Sequence, residues 1–204
     1  MVAGVGDLPK QAGPSDKETP DLSDYTYDEI EAVINLIYKR GEEPTYDLVA
    51  KWLPGYRKEI DHVTNKRLTL IGDPNDDVKR RAMPLRMILE KKRDGRHKGR
   101  LILQGFHEPR SYDRGAVDSP VAYMSSVRSF LFGPMGPTDV ISSIDISVAF
   151  LQASEFDAQD VTRYVKYTPY KGANPQYYRL RGPLYGQRSS PRRWFNTIRD
   201  WLVS

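Results

Sequence analysis

The sequence predicts an α+β fold, and three observations carry that expectation. Apolar residues recur at helical spacing near both ends of the 204-residue chain. Short β-rich runs fill the middle, and the two kinds of segment do not alternate regularly, as a parallel α/β sheet would require. Hydrophobic residues make up 39% of the chain, enough for a single buried core with an arm outside it.

In chain order, residues 1–22 are rich in Pro, Gly, Asp and Lys without periodicity, which predicts a disordered lead. A helix follows: Thr26 caps it, Glu29 completes a capping box, Ile30, Val33, Ile34, Ile37 and Tyr38 form its apolar stripe, and Gly41 ends it. Thr45 opens a second helix through Leu48, Val49 and Trp52, which Pro54-Gly55 is expected to end, and a third runs over Tyr56 to Thr64. Leu68–Ile71 is a short strand. Met83–Lys92 and Gly99–Phe106 flank Asp94-Gly95, a dipeptide suited to a tight hairpin turn. Ser125–Phe132 is a brief helix cut off by Gly133-Pro134-Met135-Gly136-Pro137. Val140–Asp145 has the texture of a buried strand, Ser147–Gln152 of a helix, and Arg163–Tyr167 and Tyr177–Leu180 of two more strands. Ser190 and Pro191 suit the N-cap and first position of a last helix striped by Trp194, Ile198, Trp201 and Leu202.

Composition narrows the function. There is no cysteine, which excludes disulfides and thiolate zinc sites and favours an intracellular setting, cytoplasm or nucleus alike. No run approaches the ~18 apolar residues of a membrane span, and the N-terminus lacks the layout of a secretory signal. His62, His97 and His107 are too scattered for a metal cluster and are expected at the surface. Residues 1–62 hold 13 acidic and 7 basic side chains, whereas the remainder holds 14 and 24. A basic body behind an acidic arm points to a polyanionic partner such as nucleic acid.

Two places carry candidate chemistry. Asp145 follows Val140, Ile141 and Ile144, so its carboxylate would be mounted on a strand end, as metal-assisted phosphoryl transfer needs. A helix cap explains the same residue. Phe150, five residues on, suits the floor under a nucleotide sugar or a place in the core, and the amides of Val148 and Ala149 near a helix start suit phosphate oxygens. The second place is the hairpin, where ten cations from Lys79 to Arg100 face only Glu90 and Asp94. Lys98 and Arg100 lie two apart on one strand and leave the same face, so they can clamp a triphosphate or stand as a solvated run. Beyond them Tyr177, Tyr178, Tyr185, Arg179, Arg188, Arg192 and Arg193 interleave rings and charges, a mixture suited to stacking on bases beside phosphates, while Tyr178 and Tyr185 equally suit the core or a sheet edge.

Four blocks in order resemble one family. Lys92-Arg93-Asp94-Gly95-Arg96-His97-Lys98-Gly99-Arg100-Leu101 with Gln104-Gly105-Phe106 is similar to the fingers segment of copia-type retrotransposon reverse transcriptases. Ser111-Tyr112-Asp113, Ser119-Pro120-Val121 and Ser126-Val127-Arg128 resemble its next run. Asp145 to Leu151 resembles its Asp-Val-x-x-Ala-Phe-Leu element, and Arg179-Leu180 with Leu184-Tyr185-Gly186 through Trp194 its Leu-Tyr-Gly-Leu-Lys-Gln-Ser-Pro-Arg-x-Trp element. The resemblance spans about residues 59–204.

It implies a partial right-hand polymerase, fingers plus the first part of a palm, behind a helical N-terminal arm at 23–58. It implies Asp145 as the first metal-binding aspartate with the Ile146 carbonyl assisting, and Mg2+ as cofactor. Phe150 would be the sugar gate, Lys98 or Arg100 the triphosphate clamp, Val148 and Ala149 further dNTP contacts, and Tyr185, Gly186 and Arg188 the template and primer contacts. Partners would be an RNA or DNA template–primer and dNTPs, without a membrane. Three departures stand out: the Gly-Pro run at 133–137, Gln187 in place of Leu, and Gly99 in place of Ala. The family's paired aspartates do not occur within these 204 residues, so the expectation is a truncated domain without polymerase activity alone. The alternatives are a retained nucleic-acid-binding or interaction module without catalysis, and a poorly folding fragment.

Overall fold

The computed structural model describes residues 20–112, 119–136, 138, 140–142 and 144–204. Most of the disordered lead expected at 1–22 lies outside the described residues, and so does Asp113. Two helices, α1 (Tyr27–Lys39) and α2 (Tyr46–Arg67), precede β1 (Leu68–Ile71), a short α3 (Asp76–Arg81), and the hairpin of β2 (Met83–Lys91) and β3 (His97–Leu103). Then come α4 (Met124–Phe132), β4 (Arg163–Tyr167), β5 (Gln176–Leu180) and α5 (Ser190–Val203). The five strands form one sheet in the order β1-β5-β4-β2-β3, antiparallel except for β2 beside β4. The expected α+β class is therefore borne out, and a long connection, 104–162, which carries α4 and Asp145, joins β3 to β4.

The capping box of α1 forms as expected: Glu29 N–H donates to Thr26 Oγ1 at 3.3 Å, and Thr26 N–H donates to Glu29 Oε2 at 2.9 Å. Glu29 also takes both arms of the Arg57 guanidinium, which clamps α1 onto α2 while Arg57 lies 4.0 Å over the Tyr25 ring. Val33 and Ile37 are buried, but Tyr38, placed on the stripe by its spacing, is exposed.

Three expectations need correction. α2 does not end at Pro54-Gly55; it runs unbroken to Arg67 and absorbs the third helix. Proline removes one i to i−4 bond and crowds one carbonyl, but the surrounding turns of Trp52, Leu53, Tyr56 and Val63 are buried, and that packing outweighs the local cost of about 3 kcal/mol. The described residues of Val140–Asp145 form no strand. Val140 and Ile144 are 85% exposed, because among the described residues no neighbouring strand offers them a ladder. At α5 the cap is Ser189, not Ser190: the Ser190 hydroxyl turns inward and donates to the Leu184 carbonyl at 2.7 Å. The α5 stripe also opens outward, with Trp201 and Leu202 exposed. Smaller shifts concern β3, which ends at Leu103 before a 3-10 turn, and the helix expected at 147–152, which is a 3-10 turn over Ala149–Gln152.

The core lies between α1, α2 and one face of the sheet. Val33, Ile37, Trp52, Leu53 and Val63 meet Leu85, Met87, Leu101, Leu103, Val165 and Leu180 there. Tyr56 and Tyr167 join hydroxyls at 2.9 Å within it, and burial pushes the Tyr56 phenol up to about 12. The helical pair thus serves as the backing of the hairpin. His97 is not a plain surface residue either: its ring meets Trp52 edge-on at 4.4 Å.

Candidate nucleotide-facing site

β3 carries the site because its outer edge is occupied by two other elements. The Leu101 amide donates to the buried Glu59 carboxylate of α2 at 3.0 Å, and the Leu103 amide donates to the Tyr185 carbonyl at 2.7 Å. Each takes up a strand-edge donor that would otherwise stay unpaired. The second bond depends on a close turn. Gly186 has φ +83, and a Cβ there would stand 2.2 Å from the Leu103 carbonyl oxygen, so only glycine fits this approach.

With Tyr185 fixed against β3, three of the predicted residues come together. The Arg100 guanidinium lies 5.6 Å from the Tyr185 ring centroid, and that ring lies 5.6 Å from Phe150 at 59°. Burial raises the Tyr185 phenol, as does Glu59 nearby, while Arg100 lowers it. Arg100 also faces Glu90 at 3.7 Å, a carboxylate already held by Lys92 at 2.9 Å and kept below its usual range by that hydrogen bond.

Beside this stack is a cleft of about 450 Å³. Lys58, Glu59 and His62 of α2 form one wall, Lys92, Arg96 and Lys98 of the hairpin another, and Ser147 and Val148 close the third. Residues just past Asp145 and the cationic hairpin therefore share one cleft. Glu59 is its single buried acid; burial raises its pKa, against the Leu101 amide and then Lys98 and Arg100. Burial likewise lowers the His62 imidazole, helped by Lys66, Lys58 and Lys98. Val148 holds φ 52 and ψ 37, a left-handed conformation that a β-branched residue adopts only when its surroundings impose it. It sets Ala149 into the 3-10 turn that delivers Phe150 to Tyr185.

The structure does not gather the remaining predicted residues. Asp145 is exposed and Ile146 half-buried in an irregular segment. Among the described residues no group of three or more His, Cys, Asp or Glu could hold a metal ion. Asp145 and the Ile146 carbonyl alone do not make up a magnesium site, which needs further hard oxygen ligands. Gly186 is exposed in its turn, and Arg188 is half-buried on the way into α5.

Sequence reasoning missed Glu59 and the buried pair below the Tyr185 turn. Glu59 sits three residues after Tyr56 and four before Val63, an acid on a buried helical stripe, which was the available signal. In the buried pair Glu108 accepts from Arg163 Nε at 3.0 Å and from Gln187 Nε2 at 2.9 Å, with both ion-pair side chains fully buried. Gln187 in turn accepts from the Leu184 amide at 3.3 Å. The departure from leucine at 187 thus has a partner, and the four-residue turn Leu184–Gln187 is tethered to β4 through it.

The hairpin, the aromatic stack and two of the cleft's three walls lie within the stretch for which sequence comparison gives the family. The chain belongs to the reverse transcriptase (RNA-dependent DNA polymerase) family, whose profile matches residues 65–204. It is 30% identical over 158 residues to the Transposon Ty1-DR4 Gag-Pol polyprotein of Saccharomyces cerevisiae, covering 75% of this chain and 10% of that protein. The Transposon TyH3 Gag-Pol polyprotein of the same organism is also 30% identical over 158 residues, covering 75% of this chain and 9% of its own length. The chain thus spans about a tenth of the length of these curated relatives. No solved structure matches. Among the described residues no helix is long and apolar enough to cross a membrane.

Proposed function

We propose that residues 59–204 are the fingers and first part of the palm of a copia-type reverse transcriptase, encoded within a mobile-element polyprotein, with residues 23–58 as a helical extension. The β2–β3 hairpin is the fingers flap and the segment from Asp145 through α5 the palm portion. The observation that supports this reading is the Arg100–Tyr185–Phe150 stack beside a cationic cleft bounded by Val148. Lys98 and Arg100 take the triphosphate, the amides of Val148 and Ala149 donate to its oxygens, and the Phe150 ring lies under the sugar. Tyr185, Gly186 and Arg188 face the template and primer. Asp145, with the Ile146 carbonyl, is one ligand of a magnesium site that these residues do not complete, so the 204-residue chain binds its substrates inside the cell without extending a primer.

Primer extension with magnesium and four dNTPs tests turnover, and anisotropy of a labelled template–primer tests binding. The expected result is binding that weakens steeply with salt and loses about one unit of log–log slope per cation removed at Lys98 or Arg100, with no extension. Synthesis that depends on Asp145 overturns the inactivity, and absent binding overturns the site. A second reading, a nucleic-acid-binding module without nucleotide specificity, is favoured by Lys58, which adds a cation to the cleft from outside the matched region. Template–primer binding that persists without any dNTP affinity selects it.

A further inference from the structure

On the other side of the hairpin the sheet comes apart. β2 runs beside β4 only at Met83 and Pro84, then the two diverge, whereas β2 and β3 stay paired from Leu85 to Lys91. The hydrogen-bond alternation tells which groups of β2 face the gap. The Leu101 and Leu103 amides point away from β2, to Glu59 and Tyr185, so their partners Met87 and Leu85 are non-hydrogen-bonded pairs with β3. Met87 and Leu89 therefore turn their N–H and C=O groups away from β3 and into the gap. The Leu89 carbonyl confirms this sense, since it accepts from Arg40 Nη1 at 2.7 Å.

The gap is a groove of about 510 Å³, walled by the β2 edge and by Tyr167, Thr168 and Pro169, with Lys39 and Arg40 at the end of α1 and Arg86 on β2 around it. Lys39 and Arg86 are exposed, and the groove is lined by no acidic side chain. Arg40 already pairs with Glu42 at 2.7 Å.

We propose that this open β2 edge accepts one more strand, an extended acidic peptide from a partner protein, independently of the polymerase reading. Strand addition satisfies both kinds of edge group at once: peptide carbonyls accept from the Met87 and Leu89 amides, and a peptide N–H donates to the Met87 carbonyl. A DNA backbone has phosphate acceptors for the amides but no donor for that carbonyl, and an RNA backbone has only its 2′-hydroxyls, whereas an extended peptide carries N–H and C=O groups at the spacing of the edge, which favours the peptide. Carboxylates on alternate residues of the added strand meet Arg86, which leaves β2 on the face away from the core, and Lys39 adds a cation on the α1 side of the groove.

The test uses the full chain and a labelled hexapeptide of alternating glutamate and valine, with the same peptide N-methylated at alternate amides. Expected are saturable binding, about tenfold weaker binding of the N-methylated peptide, and slowed hydrogen exchange at Met87 and Leu89. Arg86→Glu, an exposed change, weakens binding about fivefold with an unaltered circular dichroism spectrum. Equal binding of the N-methylated peptide, or binding without protection of those two amides, overturns strand addition. A single-stranded oligonucleotide that displaces the peptide and protects the same amides also overturns it and makes the groove a nucleic-acid channel.

Discussion

Gly55 of α2 and Gly99 of β3 meet backbone to backbone. A Cβ on Gly99 would stand 2.8 Å from the Gly55 carbonyl oxygen, and one on Gly55 would stand 2.5 Å from the carbonyl oxygen of His97. No flexible side chain stands at these closest approaches, so nothing can swing aside. This contact sets Lys58 and Glu59 against Lys98 across the cleft, and it gives a physical reason for glycine at 99.

Gly55→Ala follows as the first prediction. Alanine in a helix interior gains about 1 kcal/mol over glycine, but overpacking against fixed backbone costs about 1–3 kcal/mol, so net destabilisation is expected. Gly99→Ala has no helical gain and is expected to lose more. Gly72→Ala, with nothing within 4 Å of its Cβ, is the control and stays within about 0.5 kcal/mol. Urea midpoints at constant m-value measure all three.

Pro54→Ala acts in the opposite direction. The helix already continues through Pro54, an exposed position, so alanine restores the missing donor to the Ala50 carbonyl without disturbing buried neighbours. Thermal unfolding is expected to report a gain of roughly 1–3 kcal/mol. A loss would mean that the packing of α2 on the hairpin requires the proline's local geometry.

The Glu108–Arg163–Gln187 cluster predicts unequal costs. Glu108→Ala leaves a fully buried guanidinium with the carbonyls of Val161 and Tyr112 and the rings of Tyr112 and Phe156 but without its ion-pair partner, and about 3–5 kcal/mol of stability is lost. Gln187→Leu removes a hydrogen bond to the Glu108 carboxylate and one from the Leu184 amide, without removing a charge, and costs about 1–3 kcal/mol. A double-mutant cycle between Gln187→Leu and Glu108→Gln is expected to show coupling, since Gln187 Nε2 bonds directly to Glu108. Simple additivity would remove Glu108 as the tether of the Tyr185 turn.

What was legible in the sequence follows from how local each signal is. The capping box at Thr26 and Glu29, the Asp94-Gly95 turn and the strands expected at 163–167 and 177–180 rest on neighbouring residues, and all form, the last one residue longer. Pro54-Gly55 misleads because its signal is local while its outcome is tertiary: Gly55 is there for the approach of β3, not to end a helix. Val140–Asp145 misleads for a related reason, since an apolar run becomes a strand only where another strand lies beside it. In the site, the order of motifs identified Arg100, Tyr185 and Phe150, which meet. Glu108 and Arg163 were invisible because 55 residues separate the partners of that ion pair.

Glu59 carries the last prediction, and its sign can be worked out. Burial is the largest influence on its carboxyl and raises its pKa above the ordinary value of 4.5. The folded state therefore binds the proton more readily than the unfolded chain does. The stability linked to this proton is fully present below pH 4.5 and is lost as pH rises through the raised folded value. Glu59→Gln keeps an oxygen for the Leu101 amide at 3.0 Å but removes the titration. Variant and parent should differ by a constant amount below pH 4.5, with the variant gaining on the parent above it until the raised folded value is passed and the difference levels off, as urea titrations across pH 4–8 would record. The same substitution takes a negative charge from a cleft lined by Lys58, Lys92 and Lys98, so triphosphate affinity should rise several-fold at low salt and less at high salt. If the variant instead loses stability on the parent as pH rises above 4.5, attraction to Lys98 and Arg100 outweighs burial, and Glu59 is an anchor for those cations rather than a buried charge they partly relieve.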